Sequence, residues 1–90
     1  MALFPLGRTC ATPGALEVIE ETGTHPFTLL ARHEAGDWGT LSDNDLAANG
    51  EALALGGRIF SSYILPGGVK VWCITEASRE YTTLLLPDEY

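Results

Sequence analysis

The run Arg32-His33-Glu34-Ala35-Gly36-Asp37-Trp38-Gly39 is the densest cluster of polar and aromatic residues in this 90-residue chain. An imidazole followed at short range by a carboxylate is a general-base arrangement: Asp37 would hold His33, and Arg32 would bind an anion. Arg32, His33 and Asp37 are therefore the catalytic candidates. A His beside an Asp is a weak signal, and a simpler reading is preferred. In it, Arg32 and His33 occupy the last turn of a helix, where cations offset the dipole, and Trp38 plugs the core as the chain turns.

The remaining nucleophiles give no catalytic pattern. Ser61-Ser62-Tyr63 lacks a surrounding Gly-x-Ser-x-Gly elbow, and Thr82 and Thr83 read as ordinary strand residues. Cys73 lies in an apolar stretch and reads as a small buried hydrophobe. Cys10, His25, His33 and Cys73 form no CxxC or HxxxH pair, so no metal site is expected. Two cysteines are too few for a disulfide framework, and no motif asks for a cofactor.

A second set of residues suits binding. Arg58, Lys70 and Arg79 are three of the five cations, all in the last part of the chain. With Phe60 and Trp72 they could form a basic-aromatic platform for single-stranded nucleic acid. The same residue types anchor protein interfaces. Twelve acidic residues against five Lys and Arg give a net charge of −7, which disfavours phosphate backbones and anionic membranes. Contact with another protein, or with a second copy, therefore ranks above nucleic acid. The binding candidates are Trp38, Arg58, Phe60, Lys70, Trp72 and Arg79. The bland alternative for this face is a solvated surface with Glu76 and Glu80 as local partners.

The length fits one domain spanning 1–90. A 46% hydrophobic content is far from that of a disordered chain. Met1 to Leu6 is apolar but too short for a signal peptide and has no basic flank, and no segment is long enough to cross a bilayer. The expectation is a reduced, soluble cytoplasmic protein.

Three helices are expected first. Thr12 caps one with Pro13 at its first position and Gly23 at its end. Thr24-His25-Pro26 starts a second over Phe27, Leu30 and Ala31, preferred to a strand over 27–31 because Pro26 suits a first turn and Gly36 a stop. Ser42 caps a third, with Asp45 at the capping-box position and Leu41 and Leu46 as a hydrophobic staple. Leu46, Asn49, Gly50 and Leu53 form its inward stripe, with Gly50 allowing close packing. Residues 7–11 are a candidate extra strand.

The remainder reads as three strands: 58–65, 69–76 and 81–86. The turns Pro66-Gly67-Gly68 and Ala77 to Arg79 join them. The fold class is thus α+β, with short N-terminal helices followed by a three-stranded antiparallel β-meander. With a three-residue loop at 66–68, Ile59, Ser61, Tyr63, Leu65, Val69, Val71 and Cys73 share one face, set to pack on the helices. Arg58, Phe60, Ser62, Ile64, Lys70, Trp72, Ile74 and Glu76 share the other. Apolar groups ringed by charges on a small protein suggest a working surface.

The pattern Arg32-His33, Gly36-Asp37-Trp38-Gly39, Asp45 to Asn49, Gly57-Arg58, Ser62-Tyr63, Lys70, Trp72, Ile74-Thr75-Glu76-Ala77, Arg79, Thr82-Thr83 and Leu85-Leu86-Pro87-Asp88-Glu89-Tyr90 resembles a family of small bacterial proteins met on plasmids and integrated elements. Some of these carry labels such as "plasmid-related protein" or "type I restriction subunit M". The second label cannot be literal, since 90 residues cannot hold a methyltransferase's cofactor-binding domain. Ser78 stands where that pattern has an acidic residue. The resemblance covers the chain from Ala11 onward and brings no activity to carry over. It implies an accessory or regulatory protein of a mobile element.

A fainter likeness is to ribonuclease toxins of the RelE or BrnT type, which also place helices before a meander but are usually basic. In that reading Arg32, His33, Arg58 and Lys70 would serve phosphate binding and acid–base chemistry. A third alternative is an acidic mimic of DNA that blocks a restriction or defence enzyme. It would use Glu17, Glu20, Glu21, Asp43, Asp45 and Glu51 on the helices.

Overall fold

Three side chains, those of Thr12, His25 and Ser42, start the three α-helices found among the described residues. Each accepts a hydrogen bond from a backbone N–H of the first turn that follows it. Such a cap satisfies a donor that the helix itself leaves unpaired and contributes about 1 kcal/mol. The computed structural model describes residues 2–90. The helices are α1 (Pro13–Glu21), α2 (Pro26–Glu34) and α3 (Asp43–Leu55). Proline opens α1 and α2, as expected, and residues 27–31 are helical. The cap of α2 is the imidazole of His25, whose Nδ1 accepts from the Phe27 N–H at 3.1 Å.

The strands are β1 (Arg8–Ala11), β2 (Ile59–Ile64), β3 (Lys70–Thr75) and β4 (Tyr81–Leu85), followed by a short 3-10 turn at Pro87–Glu89. β2, β3 and β4 form the expected antiparallel meander. The Leu65 N–H donates to the Val69 carbonyl at 2.8 Å and closes the three-residue loop. Ser61 therefore faces Cys73 and Ser62 faces Trp72, the register that a three-residue loop imposes and that the face pattern alone left open. The first strand adds a feature the meander lacks. β1 lies parallel to β4, giving a mixed sheet of order β1-β4-β3-β2. Gly7, at φ 67°, leads the chain into β1 so close to the β3–β4 turn that a Cβ there would collide with the Glu80 carbonyl.

α1 packs over β4 and α2 over β3, on the sheet face that carries Ile59, Ser61, Tyr63, Val71 and Cys73. Ile19, Leu29, Leu30, Tyr63, Leu65, Val71, Cys73 and Leu84 make the main core, and Phe4, Ala52 and Ile59 make a smaller one. Burying one such aliphatic or aromatic side chain is worth about 1.5–3 kcal/mol. Val69 is the exception on that face: it leaves the core at the rim of the loop and is exposed.

Helix α3 does not lie on a sheet face. It runs along the outer edge of β2, and this changes which of its residues matter. Asn49 and Ala52 are its buried residues, whereas Leu46 and Leu53 are 44% and 38% exposed. Gly50 has no neighbour within 4 Å of where a Cβ would stand, so it serves no close approach. The expected inward stripe was thus right for Asn49 alone, because a helix beside a strand edge meets backbone polar groups rather than an apolar face. On α2, which packs over the sheet face, Phe27 is 69% exposed, and Leu29, Leu30 and His33 are the residues turned inward.

The edge of β2 is closed by polar contacts. The Asn49 amide donates to the Phe60 carbonyl at 2.7 Å and accepts from the Phe60 N–H at 3.0 Å, taking the place of a neighbouring strand. Two residues on, the Ser62 N–H donates to the Trp38 carbonyl and the Thr40 N–H to the Ser62 carbonyl. Gly39, at φ 71°, permits this approach, since a Cβ there would overlap the Ser62 carbonyl. Such closure keeps an edge strand from pairing with other chains.

Candidate functional site

The catalytic candidates separate in space. His33 is fully buried and makes no contact with Asp37. It sits in a chain of side chains beneath α2. Nδ1 lies 2.5 Å from Ser61 Oγ and Nε2 lies 2.9 Å from Thr75 Oγ1. Thr75 Oγ1 is 2.7 Å from Thr82 Oγ1, which donates to the Leu6 carbonyl at 2.6 Å.

That last contact fixes every proton in the chain. A carbonyl only accepts, so the Thr82 hydroxyl has spent its proton on Leu6 and must accept from Thr75. Thr75 has then spent its own proton and must accept from a protonated His33 Nε2. Nδ1 is left as the acceptor for the Ser61 hydroxyl. His33 is thus held as the neutral Nε2–H tautomer, and burial pushes its pKa down to about 4. Phe4 and Trp38 pack edge-on against the ring at 5.2 and 5.8 Å between centroids and close it off further. The imidazole is a structural crosslink between α2, β2 and β3.

Arg32 and Asp37 pair with each other at the surface. The guanidinium donates to the carboxylate at 2.7 Å, and this bond holds the Asp37 carboxyl below its usual range and raises the arginine. The guanidinium also lies 4.4 Å above the Tyr63 ring, whose hydroxyl donates to the Asp37 carbonyl at 2.7 Å. These contacts lock the α2–α3 loop onto β2. The Arg32 charge assigned to an anion is thus paired within the chain.

The binding candidates divide as well. Arg58, Phe60 and Trp72 come together on the sheet face opposite α1 and α2. With Ile74, Asp45, Asn49 and Tyr90 they line a groove of about 420 Å³. Phe60 meets Trp72 edge-on at 5.0 Å, Trp72 meets Tyr90 at 5.8 Å, and the Arg58 guanidinium lies 5.3 Å from the Tyr90 ring. An adjoining hollow of about 380 Å³ shares Asp45, Phe60 and Trp72 and continues to Lys70, Thr40 and Ser42. In its wall the Ser62 hydroxyl is buried without a hydrogen-bond partner among the described residues. Among the described residues neither Arg58 nor Lys70 has a carboxylate within ion-pair distance.

Trp38 and Arg79 lie elsewhere. Trp38 is half-buried, packed on the small core and stacked on Phe4 at 6.2 Å. Arg79 takes a left-handed backbone conformation at φ 64° in the β3–β4 turn. Its guanidinium donates to the Gly57, Ala52 and Glu76 carbonyls, tying that turn to the end of α3.

Sequence reasoning missed Asp45 and Tyr90 as groove residues. Asp45 was assigned a capping place on α3, and only the path of α3 along β2 turns that end of the helix toward Trp72. Nothing local marks Tyr90, which reaches the groove by the fold of the C-terminal segment.

Among the described residues no group of three or more His, Cys, Asp or Glu is placed to hold a metal ion. Cys10 is exposed, Cys73 is buried, and both are free thiols. Among the described residues no helix is long and apolar enough to cross a membrane. No protein family, curated protein or solved structure matches this chain.

Proposed function

We propose that this chain is a non-catalytic binding module that holds a segment of another protein in the groove beside Trp72. The observation that carries this reading is the groove itself. Trp72 meets Phe60 and Tyr90 edge-on, an arginine with no carboxylate partner lies against Tyr90, and together they form a concave apolar floor with a charged rim. Tryptophan, tyrosine and arginine in such a setting are the residue types that dominate protein interfaces. Arg58 and Lys70 give this surface local positive charge on an otherwise acidic molecule, which favours an acidic segment. The resemblance to plasmid-borne proteins supplies the setting: an accessory or regulatory protein of a mobile element, at work in the cytoplasm.

The other readings draw less support. A ribonuclease would need His33 as an acid–base group, and His33 is sealed in the core. A DNA mimic would need its carboxylates on one surface, whereas α1 packs over β4 and α3 along β2, with β3 between them.

The test is affinity capture from host lysate, with and without nuclease. Wild type is compared with Trp72→Ala after circular dichroism has confirmed that the variant folds. A stoichiometric protein partner that survives nuclease and is lost with Trp72→Ala is the expected result. A partner retained by the folded variant would remove the groove from the interaction. Recovery of RNA in place of protein would overturn the reading.

A further inference from the structure

The two edges of the sheet are treated differently. β2 is closed by Asn49 and by the 38–40 segment, whereas β1 is exposed along Arg8, Thr9 and Cys10. The Arg8 N–H donates inward to the Glu80 carbonyl at 2.8 Å and the Thr12 N–H to the Leu84 carbonyl at 3.0 Å. By the two-residue period of a strand, the N–H and C=O groups of Thr9 and Ala11 point outward from the sheet. An open edge of this kind is a template for another strand.

We propose that the partner at this edge is β1 of a second copy, paired antiparallel across a two-fold axis at Cys10. This register sets Thr9 opposite Ala11 of the second copy as a hydrogen-bonded pair, twice by symmetry, so the outward groups of both residues are satisfied. Centring on Ala11 instead would set Thr9 opposite Pro13, which has no N–H to give. Charge complementarity argues for a second copy over an unrelated strand. Arg8 comes opposite Thr12 of the second copy, and the Thr12 hydroxyl is hydrogen-bonded to Glu89 at 2.6 Å. Among the described residues Arg8 has no carboxylate partner in its own chain. The pairing brings Arg8 to a carboxylate anchored in place, again twice.

Apolar surface on the other side of β1 supports the same contact. Exposed Phe27 borders a hollow of about 120 Å³ with Thr9, Ala11, Pro26 and Leu30. The aromatic groove lies on β2 and β3, so a dimer formed this way leaves both grooves open. Pairing at β1 does not depend on what the groove holds.

Sedimentation of the purified chain tests it. The expected result is a concentration-dependent dimer of the 9.7 kDa chain. Arg8→Glu should weaken it by roughly tenfold or more, and Ala11→Pro should abolish it by removing an outward N–H. Cys10 reports the register. Two non-hydrogen-bonded residues facing each other lie within disulfide reach, so mild oxidation should link Cys10 to its mate. The Cys10→Ser/Thr9→Cys variant, whose thiol faces Ala11, should dimerise without cross-linking. A monomer at the highest attainable concentration would overturn the proposal. So would a dimer indifferent to Arg8→Glu, or one that fails to cross-link through Cys10.

Discussion

Two adjacent serines on β2 show how much a single side chain's surroundings decide. Ser61 donates to His33, and without it Nδ1 becomes a buried acceptor with no donor. Ser62 is equally buried, but its hydroxyl has no partner. Removing a satisfied partner costs the desolvation of the group left behind, whereas removing an unsatisfied hydroxyl costs little. We expect Ser61→Ala to lose about 1–3 kcal/mol and Ser62→Ala to be neutral or stabilising by up to about 1 kcal/mol in chemical denaturation. His33 makes a pH prediction with a definite sign. Its folded pKa of about 4 lies below the ordinary value near 6.5, so the unfolded chain binds the proton more readily. Its contribution is complete above about pH 6.5 and is lost as pH falls toward 4, by up to about 3 kcal/mol. Nitrogen NMR should show a neutral Nε2–H imidazole at pH 5. An Nδ1–H tautomer in that spectrum would break the proton assignment of the whole chain from Ser61 to Leu6.

At the level of elements, α3 has a role its hydrophobic pattern does not announce. Its interior glycine is exposed and faces open space, so Gly50→Ala should stabilise the protein by roughly 0.5–1 kcal/mol through helix propensity. Asn49, one position earlier, carries both hydrogen bonds that stand in for a strand at Phe60. Asn49→Leu should cost about 2–4 kcal/mol, since it leaves the Phe60 N–H and carbonyl without partners. It should also open β2 to association, read as light scattering on mild heating. A stable, non-aggregating Asn49→Leu variant would mean that α3 protects this edge by packing alone.

For the whole molecule, the same residue types are spent on architecture in one place and left free in another. Arg32 is taken by Asp37 and Tyr63, and Arg79 by backbone carbonyls, while Arg58 and Lys70 remain at the groove. Arg79 joins α3 to the β3–β4 turn. Arg79→Ala should therefore lower stability by about 1.5–3 kcal/mol without affecting partner capture. Arg58→Ala should do the reverse. Equal effects of the two variants on binding would mean that the groove depends on the position of α3 and not on its own charges.

Local chemistry determined a good deal of this protein from sequence alone. Thr12, Ser42 and the two helix-opening prolines, together with the Pro66-Gly67-Gly68 turn, state their structures through backbone geometry and short-range hydrogen bonds. The period-2 pattern then sorted β2 and β3 into a core face and a face with Arg58, Phe60 and Trp72. Tertiary structure decided what depends on distant partners. β1 meets β4 across most of the chain, so its parallel pairing has no local signature. α3 lies against a strand edge, which made Asn49 the buried residue in place of Leu46 and Leu53. His33 looked like a base beside Asp37 because the two are near in sequence. The fold turned one into the core and the other to solvent, since a neutral imidazole can be buried when both its nitrogens are satisfied and a carboxylate paired to arginine is better left wet.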